Sequence, residues 1–359
     1  MNSLYVPVWL VLLLIVCHAD NSSADTFGNL LGNSFDMEFV TIGDSGNAPD
    51  FLGDPSPAGA VNYDYRVSKF EVSEAMIDVA NDLGGLGINH DGRGPDKPAT
   101  SVSWYEATQF VNWLNETKGY SPAYKFDTDE AFQLWEPVDA GYDPTNPYRN
   151  TLAHYFLPSA DEWYKAAYYD PDAGVYCNYP TGCGDDPTPV ASGTAAETAV
   201  FDGQAEPADV MFAGGLSPYG TMGQGGNVKE WEETAFDLSN DLADEDSGVR
   251  GGSWSDIINS LLKAIREGVQ KDGKVQIIGV RVASKPEPFA DFDGSGTVDG
   301  LDFLLWQRDP SIGNLADWEA QFGTSVPPPL ATLVATPEPS TLLLASLAGV
   351  LIGFRRRRV

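Results

Sequence analysis

Apolar residues recur at helical spacing in a segment that begins at Ser103. Ala107, Phe110 and Leu114 fall on one face of a helix with about 3.6 residues per turn. A glutamate follows Ser103 three positions later. This is the spacing of a capping box, in which the two side chains satisfy free N–H groups of the first turn. The pattern predicts an amphipathic helix that packs one face on a core.

Two further helices are predicted by the same signals. The segment from Ser159 to Glu162 is a second capping box, and Trp163 and Ala166 follow it at helical spacing. Ser73 is a third candidate cap, with Ile77 on the apolar face behind it. We therefore expect short helices that each contribute one buried face.

Strands are predicted where β-branched and aromatic residues cluster. The segments "MEFVTIG" (37–43) and "YRVSKFEVS" (65–73) have this composition. By contrast, residues 168–219 lack a clear period and are dense in glycine, proline and aspartate, which is typical of long ordered loops. The pattern predicts an α+β domain of low regular secondary structure. Such a domain needs buried tryptophans or bound cations to hold its loops.

Apolar runs lie at both ends of the chain. The run Val8 to Val16 ends near the small residue Ala19, so residues 1–19 are interpreted as a signal peptide. The run Leu342 to Phe354 is shorter than the ~18 residues of a free-standing transmembrane helix. The arginines at 355–358 that follow it stop transfer, because guanidinium groups are costly to move through hydrocarbon. We expect an exported chain with a C-terminal apolar anchor helix at the membrane.

Composition divides the chain further. A large part is rich in tryptophan, tyrosine and glycine, and proline-rich sequence separates it from a compact acidic unit and from the tail. The predicted boundaries are 1–19 for the signal peptide, 27–284 for the large domain, 285–290 for a linker, 291–324 for the acidic unit, 325–336 for a spacer and 337–359 for the sorting tail.

The chain is strongly acidic, with 52 acidic and 21 basic residues and a formal net charge of −31. Such a chain repels nucleic acid and anionic membrane surfaces, so both are excluded as partners of the domain. A solubilising surface explains most of the charge, because the charge is spread over a chain with many aromatic residues. Only local clusters of carboxylates indicate a site.

Two cysteines, Cys177 and Cys183, remain once the signal peptide is removed. They enclose a short stretch with glycine and proline, and no histidine is near them in the sequence. In an oxidising compartment this arrangement favours a disulfide over a metal-binding or redox role, both of which stay open.

The acidic unit carries the most specific metal signal. The segment "DFDGSGTVDGLD" has the spacing of an EF-hand loop, with glycine at the sharp turn and aspartate in place of glutamate at the last position. The shorter last carboxylate weakens binding, so we expect a calcium site of the extracellular type. The expected ligands are Asp291, Asp293, Ser295, the carbonyl of Thr297, Asp299 and Asp302. The following "FLLWQR" is predicted to be a short helix.

An ordered series of motifs between residues 37 and 284 resembles the sulfatase-modifying-factor family. The motifs are "VTIG", "KFEVS", "PATSVSWYEATQFVNWLN", "FLPSADEWYKAAYY", "GGNVKEWEE", "VRGGSW" and "GVRVAS". The resemblance implies the formylglycine-generating-enzyme fold, a variant of the C-type lectin architecture. It also implies a calcium site formed by the carbonyls of Gly226 and Val228 and the carboxylate of Glu230. Gly223 stands where the family has asparagine or aspartate.

The residues that the family uses for catalysis are missing. Formylglycine-generating members hold copper with two cysteines after the "GGS" motif, since soft thiolates select Cu(I). No cysteine lies between Ser253 and Gly279, and Asp256 and Leu261 align near those positions. A second branch of the family binds iron with several histidines. Here only two histidines, at 90 and 154, lie outside the signal peptide. We therefore predict no catalytic residues.

Two further resemblances concern the C-terminal part. The acidic unit is similar to a single dockerin-type repeat, and "PEPS" before the apolar run resembles a PEP-CTERM signal, which implies recognition by an exosortase. The sequence thus predicts a cell-surface protein whose non-catalytic domain serves as a binding or structural module. The partner would be a polysaccharide or a surface protein. The alternatives are a sulfatase-maturation oxidoreductase and a lectin-like protein that binds extracellular polysaccharide.

Overall fold

The computed structural model describes residues 22–29, 32–286, 290, 292, 297–313, 315, 318 and 321–323. The chain divides into two compact units, Met1–Pro286 and Glu287–Val359. The predicted signal peptide, spacer and anchor helix lie outside the described residues, as do Asp291, Asp293 and Ser295 of the predicted calcium loop. Within the described ranges, no helix is both long enough and apolar enough to cross a membrane.

The predicted helices and their caps are present in the first unit. The helices are α1 Glu74–Gly84, α2 Trp104–Thr117 and α3 Ala160–Tyr168. The side chain of Ser73 accepts a hydrogen bond from the N–H of Met76 at the start of α1. Ser103 and Ser159 each form the full capping box with the glutamate three residues later. Serine and glutamate spacing therefore located the starts of α2 and α3, and a capping serine alone located that of α1.

Most strands are short. They are β1 Ser22–Gly28, β2 Ser34–Ile42, β3 Tyr65–Ser68, β4 Lys125–Phe126, β5 Phe132–Gln133, β6 Tyr155–Phe156, β7 Tyr169–Asp170, β8 Val175–Tyr176, β9 Thr188–Pro189, β10 Thr198–Ala199, β11 Lys229–Ala235, β12 Ser247–Arg250, β13 Glu267–Val269, β14 Ile278–Gly279 and β15 Ala283–Ser284. An antiparallel sheet has the order β1-β2-β3-β15-β6, and a second sheet has the order β13-β12-β11-β14, in which β11 and β14 are parallel. Two-stranded ribbons pair β4 with β5, β7 with β8, and β9 with β10.

The segment 65–73 was predicted as one strand, but β3 ends at Ser68. The guanidinium of Arg281 accounts for this, because it binds the carbonyl oxygens of Ser68 and Lys69 at 2.7 and 3.0 Å. These two carbonyl groups therefore point towards the buried guanidinium of Arg281. The region 168–219 contains only short strands and one 3₁₀ turn at Val210–Phe212, as the lack of periodicity predicted.

Buried tryptophans connect distant segments of the first unit. Trp104 is fully buried, and the rings of Phe132 and Tyr148 meet it edge-on with centroids at 5.0 and 5.7 Å. Its indole N–H donates to the carbonyl of Glu232 at 2.9 Å. These contacts tie α2 and the β4–β5 ribbon to the second sheet. Aromatic pairs of this geometry contribute beyond the area that they bury.

His154 lies in a buried network next to β6. Its ring stacks on Tyr120 with a centroid distance of 4.6 Å, and Arg66 donates to its Nε2 at 3.2 Å. Arg66 also binds Asp25 at 2.8 Å. Burial lowers the pKa of His154 to about 3, and the charge of Arg66 adds to this effect. The imidazole is therefore neutral in the folded protein.

We expect His154 to weaken the fold in acid. The unfolded chain protonates this histidine near pH 6.5, whereas the folded one does not, so stability falls as the pH drops from 6.5 towards 3. Uptake of this one proton by the unfolded chain lowers the free energy of unfolding by about 2 kcal/mol between pH 6.5 and pH 5. Urea titrations at several pH values would measure this slope. In His154→Gln, which keeps an acceptor but does not titrate, that contribution should vanish; an unchanged slope would contradict the assignment.

The described part of the C-terminal unit contains α4 Gly300–Arg308 and a 3₁₀ turn at Pro310–Ile312. The helix confirms the element predicted for "FLLWQR". The ring of Phe303 packs on Trp318 with centroids 4.9 Å apart, and Trp306 donates its indole N–H to the carbonyl of Gly313 at 3.1 Å. The small unit thus has an aromatic core of its own.

Candidate functional site

The carboxylate of Glu230, at the start of β11, is fully buried and bound by protein donors. Arg281 donates from Nε to Oε2 at 2.8 Å and from Nη2 to Oε1 at 2.7 Å. The indole N–H of Trp163 donates to Oε2 at 2.6 Å. Both carboxylate oxygens are therefore engaged, and the negative charge faces a guanidinium.

The guanidinium of Arg281 fills an oxygen-lined cage. Besides Glu230, it contacts the carbonyls of Ser68 and Lys69, and its Nη2 donates to the carbonyl of Met222 at 2.6 Å. The planar fork of arginine suits such a cage, because its five N–H groups point in fixed directions. The guanidinium of Arg281 thus supplies positive charge at the turn where the family resemblance implied a calcium ion.

A second carboxyl group, that of Glu71, is buried beside the same turn. It accepts from Nδ2 of Asn227 at 2.6 Å and from the N–H of Val228 at 3.3 Å. Burial raises the pKa of Glu71 well above its ordinary value, and the charge of Glu230 raises it further. Gly223 lies against this group with φ of 83°, and a Cβ there would come within 3.0 Å of the Glu71 carboxyl. An aspartate at 223 would therefore press a second carboxylate onto Glu71.

These contacts show how well the residues at this turn fit the calcium ion that the family resemblance implies. Hard oxygen ligands are present, but Glu230 would have to exchange its bonds to Arg281 and Trp163 for bonds to the ion. The assignment of calcium to Gly226, Val228 and Glu230 stays a prediction.

The two positions that align with the copper cysteines have structural roles. Asp256 accepts from the N–H and the hydroxyl of Ser253 at 3.0 and 2.7 Å, so it fixes the turn after the glycine pair. Leu261 is fully buried in a cluster with Ala199 and Phe201. Neither side chain can bind a soft cation.

Cys177 and Cys183 form the disulfide that the sequence favoured, with Cα atoms 4.5 Å apart. Asp170 lies beside it, and ligand atoms of the three side chains are within 4.8 Å of one another. Because the two sulfurs are bonded to each other, this cluster offers no thiolate. A cavity of 220 Å³ opens at the same loop.

The two histidines outside the predicted signal peptide belong to separate networks. His90 accepts from the N–H of Gly92 at 3.2 Å, and its Nε2 lies 3.0 Å from Asp78. The His90 side chain is partly enclosed, and its Nδ1 also lies 3.4 Å from the carboxylate of Glu74. His154 instead bonds to Arg66. The structure does not bring them together as metal ligands.

Sequence patterns missed a second buried ion cluster, centred on Glu232. Arg250 and Arg266 each donate from Nε to this carboxylate, the latter at 2.7 Å. Burial alone would raise the pKa of Glu232, but the two guanidinium charges outweigh it and hold the pKa below its ordinary value. A Cβ on Gly248 would come within 2.3 Å of Glu232 and Arg266. The burial of charged residues produces no periodic pattern in a sequence. The glycine before "VR", Gly248, was a feature that could have indicated close packing at this point.

In the C-terminal unit, Asp299 and Asp302 form a capping box at the start of α4. Asp299 accepts from the N–H of Leu301, and Asp302 accepts from the N–H of Asp299, both at 2.7 Å. Each bond uses one carboxylate oxygen. The structure brings two of the predicted calcium ligands into one turn, whereas Asp291, Asp293 and Ser295 lie outside the described residues. Calcium binding here is still a prediction.

The short strands, long loops and capped helices around the Glu230 turn define a mixed α and β domain of the formylglycine-generating type. A family model extends this to the sequence, matching residues 55–286 as a sulfatase-modifying factor enzyme 1-like domain. The chain belongs to this family. A PEP-CTERM protein-sorting motif matches residues 335–358, so the chain is an exported protein associated with the cell envelope.

Solved structures support the same fold. Treponema denticola variable protein 1 is 18% identical with a TM-score of 0.52, over 73% of this chain and 99% of that one. The crystal structure of CarF gives 19% identity and a TM-score of 0.51, over 70% and 98% of the two chains. At these identities the likeness concerns the fold alone.

A curated relative is also similar in sequence. "Chaperone protein LppX" of Paenibacillus barcinonensis is 26% identical over 165 residues, which are 44% of this chain and 54% of the relative. The chain therefore spans about half the length of this relative.

Proposed function

We propose that this protein is a cell-surface module whose sulfatase-modifying-factor domain binds or supports a partner without catalysing oxidation. One observation carries the proposal: the two positions that align with the copper cysteines are a turn-fixing aspartate, Asp256, and a core leucine, Leu261. The two cysteines outside the predicted signal peptide, Cys177 and Cys183, are joined in a disulfide. Copper-dependent oxidation needs thiolates that this part of the chain does not provide.

Conversion of a cysteine-containing sulfatase peptide tests this proposal. The purified full-length chain, supplied with copper and oxygen, should leave the cysteine of the peptide unchanged, as judged by mass spectrometry. An active member of the family serves as the positive control. Turnover would refute the non-catalytic assignment. Stoichiometric copper or iron in the purified protein would likewise support the rival oxidoreductase function.

We further propose that calcium binds the acidic loop of the C-terminal unit and that an exosortase processes the tail. The capping box at Asp299 and Asp302 supports the first point, because it holds two of the expected ligands in one turn. The sorting motif at 335–358 supports the second. The acidic unit would then act as a stalk between the domain and the envelope.

Calcium titration should detect one weak site, with a dissociation constant on the order of 10⁻⁴–10⁻³ M, as in extracellular modules. Asp302→Asn should abolish the heat of binding, because the amide can keep the helix cap but loses the charge. Glu230→Gln is the matched variant at the inner turn and should leave binding unchanged. The reverse result, in which only Glu230→Gln abolishes binding, would place calcium at the inner turn instead.

A further inference from the structure

The cavity beside the Cys177–Cys183 disulfide has no role in the proposals above. Its volume is 220 Å³, and it is separate from the turn at Glu230. Aromatic, amide and carboxylate groups line it together. Besides the two cysteines and Gly182, its lining residues are Tyr176, Asn178, Tyr179, Gly184 and Asp186.

The walls of this cavity are held in place before any ligand arrives. The disulfide closes the loop, and the N–H of Cys177 donates to the carbonyl of Tyr168 at 2.8 Å. The N–H of Lys263 donates to the carbonyl of Asn178 at 3.0 Å, and Tyr179 forms a β-bridge with Gly182. A fixed wall lowers the entropy that binding costs.

Polar groups of the cavity are available to a ligand. In the part of the chain that the structure describes, the side-chain amide of Asn178 forms no hydrogen bond, and the residue is exposed. Tyr179 is half-buried, which presents one part of the ring to the cavity. The hydroxyl of Tyr179 is hydrogen-bonded to Asp186, and burial together with the charge of Asp186 raises its pKa, so the hydroxyl stays neutral.

One exposed carboxylate lines the cavity, and a second lies beside its wall. Asp186 is exposed, and the carboxylate of Glu197 lies against the wall, since a Cβ on Gly184 would come within 2.3 Å of its Oε1. Neither carboxylate forms a salt bridge among the described residues. The nearby ammonium of Lys263 forms a salt bridge with Asp50 at 2.7 Å. The net charge of −31 adds to the local potential.

We propose that this cavity is a subsite for an amino-sugar residue that carries a free, positively charged amine. The apolar C–H face of the ring would lie on Tyr179, the hydroxyl groups would bond to the Asn178 amide, and the ammonium would face Asp186 and Glu197. Sulfated and uronic-acid sugars are repelled by the same carboxylates. The inference rests on the proposed function, because it names the ligand class of a binding module.

Isothermal titration of the full-length chain with a glucosamine oligomer tests the subsite. We expect binding to this probe and binding at least about tenfold weaker to its N-acetylated counterpart, because the ammonium is lost. Tyr179→Ala and the double change Asp186→Asn with Glu197→Gln should each weaken binding about tenfold. Gly184→Ala should also weaken it, because the new methyl group pushes Glu197 away from the wall.

A matched control addresses the attraction of any polycation to an acidic protein. Glu116 and Glu136 are exposed and outside the cavity, so their double change to glutamine removes the same charge and should leave binding intact. Any of three results would overturn the proposed subsite. These are an equal loss of affinity in this control, equal affinity for the N-acetylated oligomer, and no binding of the glucosamine oligomer. None of these results would bear on the peptide-oxidation assay, which tests the proposed function separately.

Discussion

Replacing Arg281 with methionine is expected to lower the free energy of unfolding by ~3–5 kcal/mol, because it removes the guanidinium that pairs with the buried carboxylate of Glu230. Glu230 is 0% exposed and would be left charged with only the indole of Trp163 as donor. The carbonyls of Ser68 and Met222 would also lose their partner. Urea unfolding of the purified full-length chain measures the change.

The double variant Arg281→Met with Glu230→Gln should recover part of this loss, since the uncompensated charge is then gone. Lys274→Met is the control. Its ammonium binds Glu106 at 2.6 Å but is 47% exposed, so we expect a change below about 1 kcal/mol. Equal effects of the buried and the exposed substitutions would show that the Arg281 cage does not stabilise the turn.

Glu232→Gln is expected to have an effect of similar size, ~3–5 kcal/mol, at the second ion cluster. One carboxylate there neutralises Arg250 and Arg266, and all three residues are buried. Nη1 of Arg250 already has no hydrogen-bond partner, so the loss of the opposing charge leaves this guanidinium poorly compensated. The shift of the urea midpoint reports the effect.

Glu267→Gln is the corresponding surface control for this cluster. Glu267 binds Lys229 at 2.7 Å but is 46% exposed, so water replaces the lost interaction and little stability should change. If Glu232→Gln proved as mild as Glu267→Gln, the buried cluster could be exchanged for neutral groups without cost. The β11–β12 pairing would then depend on packing alone.

Local signals in the sequence predicted much of the secondary structure. Capping boxes at Ser103 and Ser159 located two helices because the hydrogen bonds of a cap join residues only three positions apart. The loop character of 168–219 followed from its glycine, proline and aspartate content. The early end of β3 did not follow, since Arg281, far along the chain, takes the carbonyl of Ser68.

The candidate sites were predictable to different degrees. A family motif and the lack of cysteines after Ser253 pointed to Asp256 and Leu261, and the disulfide followed from the spacing of two cysteines in an exported chain. The pairing of Glu230 with Arg281 was not foreseen. These residues stand 51 positions apart, and no rule of spacing tells which carboxylate a buried arginine meets.

By itself, the sequence determined the family, the sorting motif, the helix starts and the lack of cysteine between Ser253 and Gly279, because each depends on residue type or on short spacing. Only the tertiary structure decided which charges are buried together and where a cavity opens. Desolvation makes an unpaired charge costly, and pairing across the fold depends on how distant segments pack. Glu230 and Arg281, which lie 51 positions apart, meet in the core for that reason.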